Sequence, residues 1–323
     1  MKKTRLSLNN RRLTAFPKGN ILKIFFKPSF FLVFLVVLAF CGPLYGEKKA
    51  RLQYIPNIPV YLTSETKIDI HQSLPGLSLA TKGGQELKAV LKVSENSTHL
   101  TAVQPPFDLS FILTGLKINL SVNDEALHFD SSDEGSSLFL NQVSKMIERP
   151  VTLTVDNEYL IDGESSDLTQ MTNELPVLKE VNPSSLLIEL LQPIFALGGE
   201  ELTVGKTFER DGKEGSHTVL PDVIYYRISN IDDYSVTAEI SGEVDKKTFN
   251  LAGKVALDEK EEEIVAVSLS GQMQGNVQWN RDNAMLHTLS LHYSYSAKFR
   301  MGKFEWLVTA NLEVSNHTRR KSS

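Results

Sequence analysis

The chain has 323 residues, 41 % hydrophobic and 23 % charged, which is enough apolar material for a sizeable core and too much for a disordered polymer. Its net charge of −5 conceals an asymmetry: eight basic and no acidic residues precede Glu47, so positions 47–323 hold 26 Lys and Arg against 39 Asp and Glu, a net −13. So acidic a body argues against nucleic acid as a partner, because phosphates demand a positive surface.

Residues 30–41 read FFLVFLVVLAFC, twelve positions without a polar side chain, preceded by Lys23 and Lys27 and broken by Gly42 and Pro43. A positive flank, a short apolar run and then a breaker is the order of an export signal, so residues 1–46 are expected to act as a signal peptide or signal anchor. A membrane span needs about 20 apolar residues, which makes this run short for a transmembrane helix. Three fates stay open. Cleavage after Gly46 uses Leu44-Tyr45-Gly46, with a small residue at the cut and a bulky Leu two before it. Lipidation of Cys41 uses Leu38-Ala39-Phe40-Cys41, which resembles the lipobox of bacterial lipoproteins but has Phe40 where that motif has a small residue. Retention leaves the segment as a membrane anchor. Each fate delivers the rest of the chain to the periplasm or to a membrane-anchored place in the cell envelope. Cys41 is the single cysteine, so no disulfide, zinc–thiolate site or cysteine nucleophile can form downstream of it.

Most of the remainder alternates apolar and polar residues with period two, the mark of strands with one buried face. The first half, 47–180, reads as β-rich, with strands at 65–71, 87–94, 99–103 and 109–122, and Lys82-Gly83-Gly84-Gln85 as a loop. Ser136 and Ser137 are placed to cap a helix reaching Ile147, a hairpin follows over 151–163, and a second helix spans 167–175. The second half, 181–318, opens with a helix over 183–197, with Asn182 at its cap, Pro183 in its first turn, Pro193 inside it and Gly198-Gly199 closing it. Strands at 225–229, 234–240 and 248–257 lead to an acidic tip at 258–263. Three long strands then follow at 265–279, 289–299 and 304–314 with short connections, which is an antiparallel meander. The two halves are read together as one domain. The expected fold is mainly β (α+β): a large curved antiparallel sheet or half-open barrel with a few helices packed on it.

Three short segments carry a resemblance. They are Phe129-Asp130-Ser131-Ser132, the hairpin from Val151-Thr152-Leu153-Thr154-Val155 to Gly163, and Leu202-Thr203-Val204-Gly205-Lys206-Thr207-Phe208. In order and spacing they resemble a set of uncharacterised exported β-rich bacterial proteins, many of them lipoproteins, which usually have Asp and Trp where this chain has Lys206 and Phe208. The resemblance implies an antiparallel sheet domain of unknown function and supplies no active site.

A search for chemistry returns no catalytic, cofactor or metal constellation. The seven histidines are scattered without helical i, i+4 pairs, and Ser268-Leu269-Ser270-Gly271 lacks the earlier glycine and the strand–helix turn of a nucleophile elbow. Tyr293, Tyr295, Phe304 and Trp306 are the candidates to line an apolar pocket. The expectation is a non-enzymatic envelope protein with a structural or protein-interaction role. The alternatives are a periplasmic carrier for a lipid or a lipoprotein acyl chain, and an integral outer-membrane β-barrel.

Overall fold

The computed structural model describes residues 48–74, 77–94, 103–123, 125–132, 146–162, 165–174, 183–212, 221–257, 260–301 and 304–320. The N-terminal apolar run, Cys41 and Gly46 therefore lie outside the described residues, as do most of the helix expected before Ile147 and residues 99–102 of the strand expected there. Residues Glu47–Ser323 make one compact unit.

Fourteen strands and two helices follow one another in the described chain. The first half contributes β1 (Lys49–Ala50), β2 (Val60–Leu74), β3 (Leu77–Ser94), β4 (Phe107–Val122), β5 (Glu125–Asp130), β6 (Pro150–Val155), β7 (Ile161–Asp162) and α1 (Ser166–Glu174). The second contributes α2 (Pro183–Phe195), β8 (Leu202–Thr203), β9 (Thr207–Asp211), β10 (Val223–Ile231), β11 (Ser235–Leu257), β12 (Lys260–Asn280), β13 (Leu286–Met301) and β14 (Phe304–Arg320). Twelve of the strands form one antiparallel sheet in the order β7-β6-β4-β3-β2-β14-β13-β12-β11-β10-β9, with β5 paired to β4. The two halves meet where β2 pairs with β14 from Val60↔Arg320 to Ser73↔Leu307. On one side of that seam β2, β3 and β4 pair in sequence order, with β5 and β6 both paired to β4; on the other, β9 to β14 form a meander of consecutive neighbours. The ladder ends at β7 and β9, which are not paired with each other, so the sheet is open. An integral outer-membrane barrel needs a closed ladder, and the described strands do not form one.

Two sequence expectations are corrected. Lys82-Gly83-Gly84-Gln85 is the middle of β3, paired with β2 and β4, rather than a loop. Gly83 is there because the neighbouring strand comes too close for a side chain: a Cβ at this position would lie 2.0 Å from the Asn119 carbonyl, and its φ of +152° suits glycine alone. Residues 234–240 and 248–257 are likewise parts of one strand, β11, whose register against β12 shifts between Phe249 and Gly253. That irregularity, not a break in the strand, interrupts the alternation.

The core lies on the concave side, where α2 packs against the sheet. Tyr54, Leu62, Leu91, Leu109, Leu153, Leu191, Ile194, Phe195 and Trp279 are fully buried in one cluster that spans both halves. Tyr54 sits at its centre, with ring centroids of Phe107 and Phe195 at 5.8 and 5.1 Å. Burying each such side chain contributes roughly 1.5–3 kcal/mol, which explains why a helix with so apolar a sequence settles here.

Candidate functional site

The site begins with the way α2 is tied down. The last carbonyls of a helix have no partner within it, and burying them unpaired is costly. Here strands remote in sequence supply the donors. Trp279 Nε1 of β12 donates to the carbonyls of Pro193 and Ile194, both at 3.1 Å, and the Tyr54 hydroxyl also reaches Ile194 at 3.1 Å. Arg210 Nε of edge strand β9 donates to Ala196 O at 2.6 Å. On the opposite edge, Gln192 accepts from the Ile161 amide of β7 at 3.1 Å and donates to Tyr159 O at 3.0 Å. The C-terminal end of α2 thus bridges the gap between the two edges of the open sheet and plugs one end of the half-barrel.

Further along the strands the plug gives out. Helix α2 has 13 residues and spans roughly 20 Å, whereas the 17 residues of β14 span roughly 56 Å, so the sheet outruns its cover. Between them lies a cavity of about 400 Å³. Its apolar walls come from α2 (Leu187, Leu190), from α1 (Leu168, Met171) and from the concave faces of β4 (Phe111, Leu113, Leu116), β13 (Leu289, Leu291, Tyr293, Tyr295) and β14 (Leu312, Val314). The same apolar rows run on past it: Tyr293 pairs with Leu312, Leu312 with Ile68, and Gly83 carries the row from Ile68 to Leu120.

The polar groups in this lining are few. Ser64 and Asn316 face each other across β2 and β14, next to Thr66 and Gln85, which face each other across β2 and β3. The Asn316 Oδ1 and Tyr295 hydroxyl oxygens are buried with no hydrogen-bond partner. Arg149 lines the cavity while its guanidinium is held by the Glu174 carboxylate at 2.6 and 3.4 Å. Burial pushes the Tyr293 phenol well above its usual range, helped by Tyr295 and the Glu189 carboxylate; burial and Glu189 do the same to Tyr295. Both tyrosines therefore stay neutral and can donate a hydrogen bond throughout the physiological range. Among the described residues, no group of three or more His, Cys, Asp or Glu is placed to hold a metal ion.

Of the four aromatic residues singled out in the sequence, Tyr293 and Tyr295 line the cavity and stack with centroids 5.8 Å apart. The other two sit elsewhere. Phe304 is 58 % exposed, and Trp306 stacks on Phe299 at 5.6 Å, near the hairpin end of β14, which is far from α2. The sequence reading missed Ser64, Asn316 and Arg149. The signal for the first two was present, since each places a polar residue at an inward-facing position of its strand.

The fold is an open antiparallel half-barrel, plugged at one end by a helix and holding an apolar cavity beside the plug. No family model matches the chain and no curated protein matches it in sequence. Among solved structures, it is similar to lipovitellin, from a study of that protein's lipid–protein interactions, at a TM-score of 0.43 and 11 % identity. That similarity covers 83 % of this chain and 26 % of the other, so the chain spans about a quarter of the lipovitellin chain. A second similarity, to an outer membrane channel from Pseudomonas putida, has a TM-score of 0.18 and 7 % identity, over 84 % of this chain and 99 % of that one. No helix among the described residues is long and apolar enough to cross a membrane.

Proposed function

We propose that this chain is an exported cell-envelope protein that binds, without chemical change, a lipid chain in the cavity between its curved sheet and α2. The observation that carries the reading is the cavity itself. Protein interiors are close-packed, and a purely structural domain has no use for a void of about 400 Å³ lined by Leu, Val, Met and Phe. Sites for small ligands are concave, mostly apolar and of about 300–1,000 Å³, with a few polar groups that fix orientation. The cavity has both features. Export, through the apolar segment of residues 30–41, would place it where lipids need shielding from water.

The test is lipid extraction from the purified full-length chain, compared with Leu190→Trp, which fills the cavity from α2. Bound lipid in stoichiometric amount that is lost in the variant supports the reading, and the comparison discounts lipid held by the N-terminal segment. Equal lipid in both proteins, or none in either, overturns it.

A further inference from the structure

Four uncharged polar residues of the cavity, Ser64, Thr66, Gln85 and Asn316, are gathered on one part of its floor. Asn316 is 3 % and Ser64 5 % exposed, they form a cross-strand pair, and Thr66 and Gln85 pair across β2 and β3 directly alongside. The Asn316 Oδ1 has no hydrogen-bond partner, a condition that natural interiors avoid unless another molecule supplies one. The charges in the lining are unsuited to an anion. Among its described residues Arg149 is the only Lys or Arg, and its guanidinium is already held by Glu174 through two contacts. Glu189, the one carboxylate among the described lining residues, acts on Tyr293 and Tyr295 toward the other end of the floor. From Asn316, which faces Leu289, the floor runs six residues along β13 to Tyr295, a distance of roughly 20 Å at the usual strand rise. The side chains along that path are Leu289, Leu291, Tyr293, Val314 and Leu312, a track for one extended hydrocarbon chain.

Resting on the carrier reading above, we propose that the cavity selects an uncharged, hydroxyl-bearing single-chain amphiphile, of the monoacylglycerol kind, over an anionic lipid. The polar head donates to Asn316 and lies on the Ser64–Thr66–Gln85 patch. Its chain follows the apolar floor toward Tyr295.

The full-length chain is photolabelled at pH 7 with a diazirine-bearing monoacylglycerol and, separately, with the fatty acid of the same chain, each competed by its unlabelled parent, and the adducts are mapped by mass spectrometry. The expected result is labelling of β13 and β14 by both probes. The monoacylglycerol is competed at about tenfold lower concentration, because a hydroxyl can donate to the partnerless Asn316 Oδ1 whereas an ionised carboxylate can only accept. Asn316→Leu, which keeps the volume and removes the acceptor, should erase that preference while leaving apolar labelling intact. Gln85→Leu, at an exposed position where folding is not at risk, should reduce it. Adducts in the lining with equal or stronger competition by the fatty acid, or a preference unchanged in both variants, overturn the neutral-amphiphile assignment while leaving the carrier reading standing. Adducts from neither probe in β13 or β14 overturn the carrier reading itself.

Discussion

Trp279 caps Ile194 from a strand remote in sequence: its indole N–H, on β12, donates at 3.1 Å to the carbonyl of a helical residue 85 positions earlier and shares the bond with Pro193 O. The indole is fully buried, so no water can replace it. Trp279→Phe keeps most of the apolar surface and removes the donor. It is expected to destabilise the fold by about 1–3 kcal/mol, the cost of leaving a buried carbonyl unsatisfied, with Tyr54 limiting the loss at Ile194. The urea midpoint of variant and parent, at equal slope, measures this. An unchanged midpoint would show that the plug does not depend on this bond.

Gly198 ends the same helix for a steric reason. A Cβ there would lie 2.1 Å from Tyr159 Cδ1, whose ring also lies 5.8 Å from that of Tyr54. Gly198→Ala must therefore push Tyr159 out of the plug, and overpacking of this kind costs about 1–3 kcal/mol. The double variant Gly198→Ala, Tyr159→Leu should recover part of the loss in thermal denaturation, because the shorter side chain yields the space. No recovery would mean that the strain lies in the backbone.

Which parts of this could be read from the sequence follows from period and parity. The meander of β12, β13 and β14 was legible because alternation survives over 15, 11 and 11 residues in turn, and α2 because proline and glycine mark its two ends. Gly83 and Gly84 look like a turn in the sequence, since nothing local reveals that a neighbouring strand crosses them. The motif Phe129-Asp130-Ser131-Ser132 could be recognised but not explained until the structure showed its work. Asp130 caps the turn by accepting from the Ser132 amide, and Ser131 exchanges hydrogen bonds with Leu116 of the adjacent strand. The cavity was only half legible. Tyr293 and Tyr295 share its parity with Trp306, and only the length of α2 decides which of them it covers.

The partnerless Tyr295 hydroxyl and Asn316 Oδ1 bear on stability as well as on binding. A buried polar atom without a partner costs about 1–3 kcal/mol, so removing it should stabilise a protein that is free of ligand. Tyr295→Phe is therefore expected to raise the melting temperature of delipidated protein, and Asn316→Leu also to lower the gain in melting temperature on adding lipid. Calorimetry before and after delipidation separates the two effects. A variant that is less stable in both states would mean that the hydroxyl already has a partner in the native fold.

Asp130 predicts a dependence on acid. Lys117 Nζ at 2.7 Å is the first cause, and the Ser132 hydroxyl at 2.7 Å and amide at 2.9 Å are the next; together they hold the Asp130 carboxyl well below the ordinary carboxylate range. A pKa lower in the folded than in the unfolded chain means that the unfolded chain takes up a proton first as the medium is acidified. The contribution is therefore complete above the unfolded value of about 4 and is lost as the pH falls from there toward the native value. Asp130→Asn keeps an acceptor for the Ser132 amide but removes the charge. Its melting temperature should lie below that of the parent at pH 7, with the gap closing steadily between about pH 4 and pH 2. A gap that stays constant over that interval would show that Lys117 and Asp130 do not act as an ion pair, and the turn after β5 would then owe its order to the two serines alone.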